Sequence, residues 1–219
     1  DQVFEPLLGF EHLEGASLQT NKTRLHTRRW IERSSAAGRQ WFVCLDEIGP
    51  AKIGVKPDAV DYEHDEVRRD HLWPHLMSGG AGVEWLFGYA YPHDDIKLED
   101  FRSRDYMWDL TRFAVEFFRE HLPFQEMQPA DDVAGDKSVL CLARPREAYA
   151  LYLPQGRTTD VKLPAGNYLV RWFDPRTGGP LRPGSVEQLL GGSEPMPIGT
   201  PPRQVDRDWV CLISRQSEG

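Results

Sequence analysis

Apolar and polar positions divide the chain into two stretches of different rhythm. Up to about Phe124, short apolar runs of strand length alternate with segments whose apolar residues recur every three or four positions. Phe4 to Leu13 predicts a strand ending near Glu11, His12 and Glu14. Asn21 to Ala37 predicts a helix, with Asn21 as N-cap and Gly38 as its stop. Trp41 to Leu45 is a continuous apolar run closed by Asp46-Glu47 and a Gly49-Pro50 breaker, the pattern of a buried parallel strand with acids at its C-terminal tip. A loop from Pro50 to Tyr62 leads to a helix over about 65 to 78, kinked at Pro74 and ended by Gly79-Gly80. The strand around Val83 carries Glu84 and Trp85, and a loop follows through Tyr91-Pro92-His93-Asp94-Asp95. Leu98 to His121 predicts a final helix, with Met107, Leu110, Phe113, Ala114, Phe117, Phe118 and Leu122 at helical spacing.

The order is βαβαβα, at the period of a (β/α)8 barrel. Three such units in about 124 residues fall short of the roughly 250 that a closed barrel takes. The expectation is the C-terminal part of a barrel, with its N-terminal part supplied by a missing or separate polypeptide; an open α/β sheet of another kind is the alternative.

The rhythm changes at 125 to 136, a polar stretch of Gln, Pro, Asp and Gly that reads as a linker. Beyond it come short strands at 138 to 143, 149 to 153, 160 to 163, 168 to 173 and 209 to 214, separated by turns rich in Pro and Gly, with a long loop over 184 to 204. This spacing predicts an antiparallel β-sandwich. The fold class is therefore α/β plus all-β, divided as 1 to 124 for the barrel part, 125 to 136 for the linker and 137 to 219 for the sandwich.

Composition narrows the function classes. A formal net charge of -8 offers no basic stripe for nucleic acid or an anionic membrane surface. No apolar run approaches the roughly 20 residues that span a bilayer. No Gly-rich phosphate cradle or Gly-x-Ser-x-Gly elbow occurs, so no cofactor and no serine-hydrolase chemistry is expected. The loop with Asp58, Asp61, Glu63, His64 and Asp65 is acidic but lacks the fixed spacing of a calcium loop, and no metal is expected. Cys44, Cys141 and Cys211 lie in apolar runs and read as buried thiols; Cys141 and Cys211 would pair only on neighbouring strands.

What remains is carboxylate chemistry. Glycoside hydrolysis uses two carboxyl groups flanking the scissile bond. Glu47 stands at a strand end, where a nucleophile would face the sugar, with turn capping as the plainer alternative. Asp46, by strand alternation, points the other way and would orient a neighbour or a loop. Trp85 offers a flat ring for a sugar or for core packing. Glu84 has the opposite parity, so one of these two faces away from the lumen. Glu11 and His12 are candidates to bind substrate or orient a carboxylate, with His12 the candidate neighbour of Glu47. His93, Asp94 and Asp95 either shape the mouth of the site or begin a solvated helix.

Two segments carry a resemblance. Trp41 to Pro50, with Gly54-Val55-Lys56-Pro57-Asp58, Asp65-Glu66-Val67-Arg68-Arg69 and Leu76-Met77-Ser78-Gly79-Gly80-Ala81-Gly82-Val83-Glu84-Trp85, resembles the C-terminal part of the apiosidase-like (β/α)8 barrels among the retaining glycoside hydrolases of clan A. Ala150 to Pro154 and Tyr168 to Gly179 resemble the β-sandwich of the collagen-binding type that commonly follows such barrels. The resemblance implies a carbohydrate substrate, a location outside the cell or in the periplasm, Glu47 as nucleophile and Trp85 as sugar platform. The family's acid/base Glu lies on a strand with no counterpart in this sequence. The alternative is a non-catalytic glycan- or collagen-binding module.

Overall fold

The computed structural model describes residues 3–50, 52–97 and 100–216. It divides into two compact units, 1–109 and 110–219, with the division inside one long helix.

The first unit is built on three parallel strands, β1 (Gly15–Leu18), β2 (Phe42–Leu45) and β3 (Gly82–Val83), paired in that order. Leu18 lies level with Leu45, and Leu45 with Val83. Parallel neighbours need a crossover. Helix α1 (Thr23–Ala36) supplies the first, and a π-helical segment (Val67–Leu72) running into α2 (Trp73–Leu76) supplies the second. The predicted kink at Pro74 is this π segment. Proline lacks an amide donor and its ring crowds the carbonyl four residues back; a widened turn just before it absorbs both defects.

The two sheet faces differ. Ala16, Leu18, Trp41, Val43 and Leu45 are buried on one, and α1 covers it: Trp30 stacks on Trp41 with ring centroids 6.1 Å apart. The other face presents Ser17, Phe42, Cys44, Gly82 and Glu84, none of them buried, and Phe42 is 56% exposed. The predicted strand over Phe4 to Leu13 does not form. Those residues make a 3-10 turn (Glu5–Leu7) and further turns, and the strand begins at Gly15. Phe4 instead packs edge-on against Trp30 at 5.1 Å, so its apolar character serves a helix cap on the core and not a sheet. The final helix is α3 (Asp105–His121), preceded by a 3-10 turn (Phe101–Arg104); its predicted start at Leu98 lies outside the described residues.

Two threonine–histidine pairs join the helices of this unit. Thr23 Oγ1 lies 2.9 Å from His71 Nδ1, and Thr27 Oγ1 lies 2.9 Å from His75 Nδ1. Each pair is one helical turn from the other on both partners, so the helices meet in register. His75 is fully buried, and burial pushes its pKa down to about 4. Folding therefore favours the neutral ring, and only the unfolded chain takes up a proton between an ordinary histidine pKa and 4. The stabilisation is complete above pH 6.5 and is lost as the pH falls through that window. It amounts to about 3 kcal/mol from this residue. Urea unfolding at pH 7, 5 and 4 should show that decline, and His75→Asn should remove about one proton from the pH slope; equal slopes in both proteins would contradict it.

The second unit is antiparallel, as its turn spacing predicts, but its strands are arranged differently from a two-sheet sandwich. Six of them, β4 (Gln128–Pro129), β5 (Leu140–Arg144), β6 (Ala148–Leu153), β8 (Gly166–Phe173), β9 (Gln188–Gly191) and β11 (Trp209–Arg215), form one sheet in the order β4-β5-β6-β11-β8-β9. The pair β7 (Asp160–Val161) and β10 (Met196–Pro197) stands apart. One face of the sheet, with Cys141, Leu151, Val170, Trp172, Trp209 and Cys211, packs with Val161, Leu163 and Ile198 from the β7–β10 region. On the opposite face Phe117 of α3 meets Phe173 with centroids 4.8 Å apart. With both faces covered, β6 is buried along its whole length and reads as an unbroken apolar run. Full burial of Phe117 stabilises this packing by roughly 1.5–3 kcal/mol.

Two expectations change here. The stretch read as a linker contributes β4, and the stretch read as a long loop contributes β9 and β10. Cys141 and Cys211 both lie level with Leu151, one on each side of β6. A strand between them sets their Cα atoms about 10 Å apart, beyond disulfide reach, and both are buried thiols outside any disulfide.

Candidate functional site

The C-terminal ends of β1, β2 and β3 lie side by side, and Asp46, Glu47 and Glu84 follow them there. Asp46 continues the ladder through its N–H to Leu18 O (2.8 Å), and the N–H of Glu84 donates to Leu45 O (2.8 Å). Asp46 and Glu84 are thus level with each other. They have the parity of Cys44 and Gly82, that of the uncovered face. Asp46 is half-buried; burial pushes its carboxyl above the usual range, and burial together with the Asp46 charge pushes the Cys44 thiol up.

Strict alternation would send Glu47 to the helix-covered face. Its backbone prevents this: φ is 50°, a left-handed conformation that a side-chain-bearing residue seldom adopts. The strand ends there, and Glu47 turns out to solvent. Its Oε2 accepts a 2.6 Å hydrogen bond from Gln19 Nε2, the residue just beyond the end of β1. The parity assigned to Asp46 and Glu47 from sequence is therefore corrected: the left-handed turn frees Glu47, while Asp46 shares the uncovered face. Gln19 lies beyond the strand that the sequence predicts over Phe4 to Leu13. Its signal was the short Ala16/Leu18 alternation ending in a polar Gln19-Thr20-Asn21 tail.

Trp85 is only 7% exposed. It sits on the packed side and offers no open ring face, so the parity choice between the two resolves with Glu84 exposed and Trp85 in the core. Glu11 and His12 are not at this end. They lie in turns ahead of β1, where Glu14 O accepts from Phe42 N at the opposite end of the sheet. A four-residue strand puts roughly 13 Å between those ends. Glu11 and His12 are well exposed and face each other at 3.4 Å. His12 is therefore corrected as a neighbour of Glu47.

The loops framing the site are held by residues that read as mouth-lining candidates or passed unnoticed. Asp95 Oδ2 accepts from the N–H groups of Phe87 and Gly88 (2.8 Å each), and Asp94 Oδ1 from those of Ile96 and Lys97 (3.0 Å each). Both acids serve backbone. Arg104, fully buried, donates to the carbonyls of Val55 (3.1 Å), Pro92 (3.2 Å), His93 (2.9 Å) and Phe87 (3.4 Å), with its guanidinium 4.4 Å over the Phe87 ring. Gly54 and Gly88 approach backbone to backbone, and a Cβ on either would collide with main-chain atoms of the other loop. Of the acidic loop, Asp58 Oδ1 lies 2.7 Å from His64 Nε2, and Asp65 pairs with Arg68. Among the described residues no His, Cys, Asp and Glu group is arranged to hold a metal.

Behind the Glu47 turn lies a cavity of about 130 Å³, walled by Ile48, Gly49, Val55 and Val67 and edged by Lys56, Asp61, Glu66 and His71. Burial pushes the His71 pKa down, so the cavity wall carries a neutral imidazole at neutral pH.

No protein-family model matches the chain, and no curated protein does. Solved structures do match. A glycoside hydrolase family 5 protein from Bacteroides vulgatus superposes with a TM-score of 0.60 at 13% identity, over 86% of this chain and 44% of its own. A second structure, described as a glycoside hydrolase, gives a TM-score of 0.54 at 16% identity, over 88% of this chain and 46% of its own. The chain thus spans less than half the length of these neighbours, and what it shares with them is a fold.

Proposed function

We propose that the chain is the C-terminal part of a retaining glycoside hydrolase of clan A, related to the apiosidase-like barrels, with Glu47 as its nucleophile. The observation that carries this reading is the placement of Glu47: beyond the C-terminal tip of the middle parallel strand, in a left-handed turn, solvent-facing and held by Gln19. Functional carboxylates of barrel enzymes occupy that position, and unusual backbone conformations gather at working sites. The uncovered face with Ser17, Cys44, Asp46 and Glu84 is the lumen side in this reading, and the remaining strands with the acid/base carboxyl come from polypeptide outside this segment. Attack by the Glu47 carboxylate on the anomeric carbon forms a glycosyl ester as the leaving oxygen takes a proton from the acid; water then cleaves the ester. Gln19 orients the attacking oxygen, and Glu84 hydrogen-bonds substrate hydroxyls. Trp85 supports the loop from within.

The antiparallel unit is an accessory module of the collagen-binding type, and the protein works outside the cytoplasm, where polysaccharide is met. Loss of aryl glycoside hydrolysis in Glu47→Gln, with the fold intact, tests the assignment in the polypeptide that joins this segment to the rest of its barrel; unchanged turnover would overturn it.

A further inference from the structure

We propose that Tyr62 is a stacking platform for a neutral sugar ring. The inference rests on the reading of the protein as acting on glycans, but different observations carry it. Tyr62 is 79% exposed, which for a large aromatic side chain leaves most of one ring face in water. The ring is nonetheless held. It stacks on Tyr106 with centroids 5.9 Å apart and planes 16° from parallel. Tyr106 is fixed in turn, its backbone N–H donating to Asp58 Oδ2 at 2.9 Å, while Asp58 Oδ1 lies 2.7 Å from His64 Nε2.

The loop bearing Tyr62 is tied at both ends. Val60 and Asp61 N–H groups donate to Pro57 O (2.8 and 3.0 Å), the Asp58 N–H reaches Ser103 O (2.9 Å), and the His64 N–H reaches Asp61 Oδ1 (3.2 Å). An aromatic plane fixed before binding loses little entropy when a ligand stacks on it. Its free face suits the C–H side of a pyranose. Asp61 and Glu63 flank it in sequence, Asp61 half-buried and Glu63 exposed. Carboxylates accept hydrogen bonds from sugar hydroxyls and repel uronic acids, which selects neutral glycans.

The test is affinity electrophoresis of the full chain in native gels containing β-glucan, xylan, galactomannan or polygalacturonate. At least one neutral polysaccharide should retard the protein, Tyr62→Ala should weaken that retardation about 10-fold, Tyr62→Trp should preserve it, and polygalacturonate should give none. Retardation unchanged in Tyr62→Ala, no retardation by any neutral polysaccharide, or equal retardation by polygalacturonate overturns the proposal. Tyr62-dependent binding together with unchanged turnover in Glu47→Gln would sink the catalytic assignment and leave the platform standing.

Discussion

Glu47→Gln should lower the turnover of an aryl glycoside by about 10³-fold or more, equivalent to at least roughly 4 kcal/mol of barrier. The amide is nearly isosteric, so the turn at φ 50° and the position beside Gln19 are kept. What is lost is the charge and the nucleophilic oxygen, and with them the covalent route. Asp46→Asn should cost less. Its carboxyl is half-buried on the uncovered face, with its ionised form disfavoured by burial, so it contributes polarity and position and not attack on carbon. Steady-state kinetics of the two variants, with circular dichroism to show that each is folded, decide between them. The reverse order of effects would move the nucleophile to Asp46.

The largest effect on stability should come from Arg104→Met. Arg104 is fully buried and donates to carbonyls in three separate stretches of chain, at Val55, at Phe87 and at Pro92-His93. Methionine fills much of the volume but leaves those acceptors facing an apolar group. Each unsatisfied buried acceptor costs about 1–3 kcal/mol, and relaxation of the loops recovers part of the sum. A loss of about 4 kcal/mol is expected, read as a fall in the urea midpoint, with faster proteolysis in the loops around Val55 and Pro92. Arg104→Lys should recover little, because one ammonium cannot reach carbonyls spread across a planar fork. A variant as stable as the parent would show that the loops hold without the clamp.

The parts of the fold that were legible in the sequence are those fixed by local pattern. Ala148 to Leu153 is apolar because both sides of that strand meet other chain, and the pattern records that, whereas Trp41 to Leu45 is apolar although its Phe42/Cys44 face is uncovered. The 3.6-residue spacing of Leu110, Ala114 and Phe117 likewise marks the stripe that α3 buries. The Gly-Ala-Ser-Leu of β1 carries a weaker signal than the Phe4 to Phe10 stretch, in which Phe4 packs on Trp30 while Leu7 and Phe10 are exposed. The single six-stranded sheet was hidden because strand order is set by pairing between distant segments: β11 sits between β6 and β8 although it comes last in the chain.

The candidate site was legible in part for the same reason. Glu47 announces itself by ending an apolar run. Gln19 is 28 residues away and the Arg104 partners are 11 to 49 away, joined only by the fold. Trp85 and Glu84 could not be told apart until the burial of one face was known, and the parity of Asp46 and Glu47 was masked by one left-handed residue.

The most direct measurement is the identity of the residue labelled during turnover. Incubating the full barrel with a 2-deoxy-2-fluoro glycoside bearing a good leaving group should trap a glycosyl-enzyme, because fluorine at C2 destabilises the charge that must develop before water can release the sugar. Peptic digestion and tandem mass spectrometry should place the added mass of one fluorosugar on Glu47 of the peptide containing Leu45-Asp46-Glu47-Ile48. A fluorosugar found on Asp46, Glu84 or any other carboxylate would contradict the assignment.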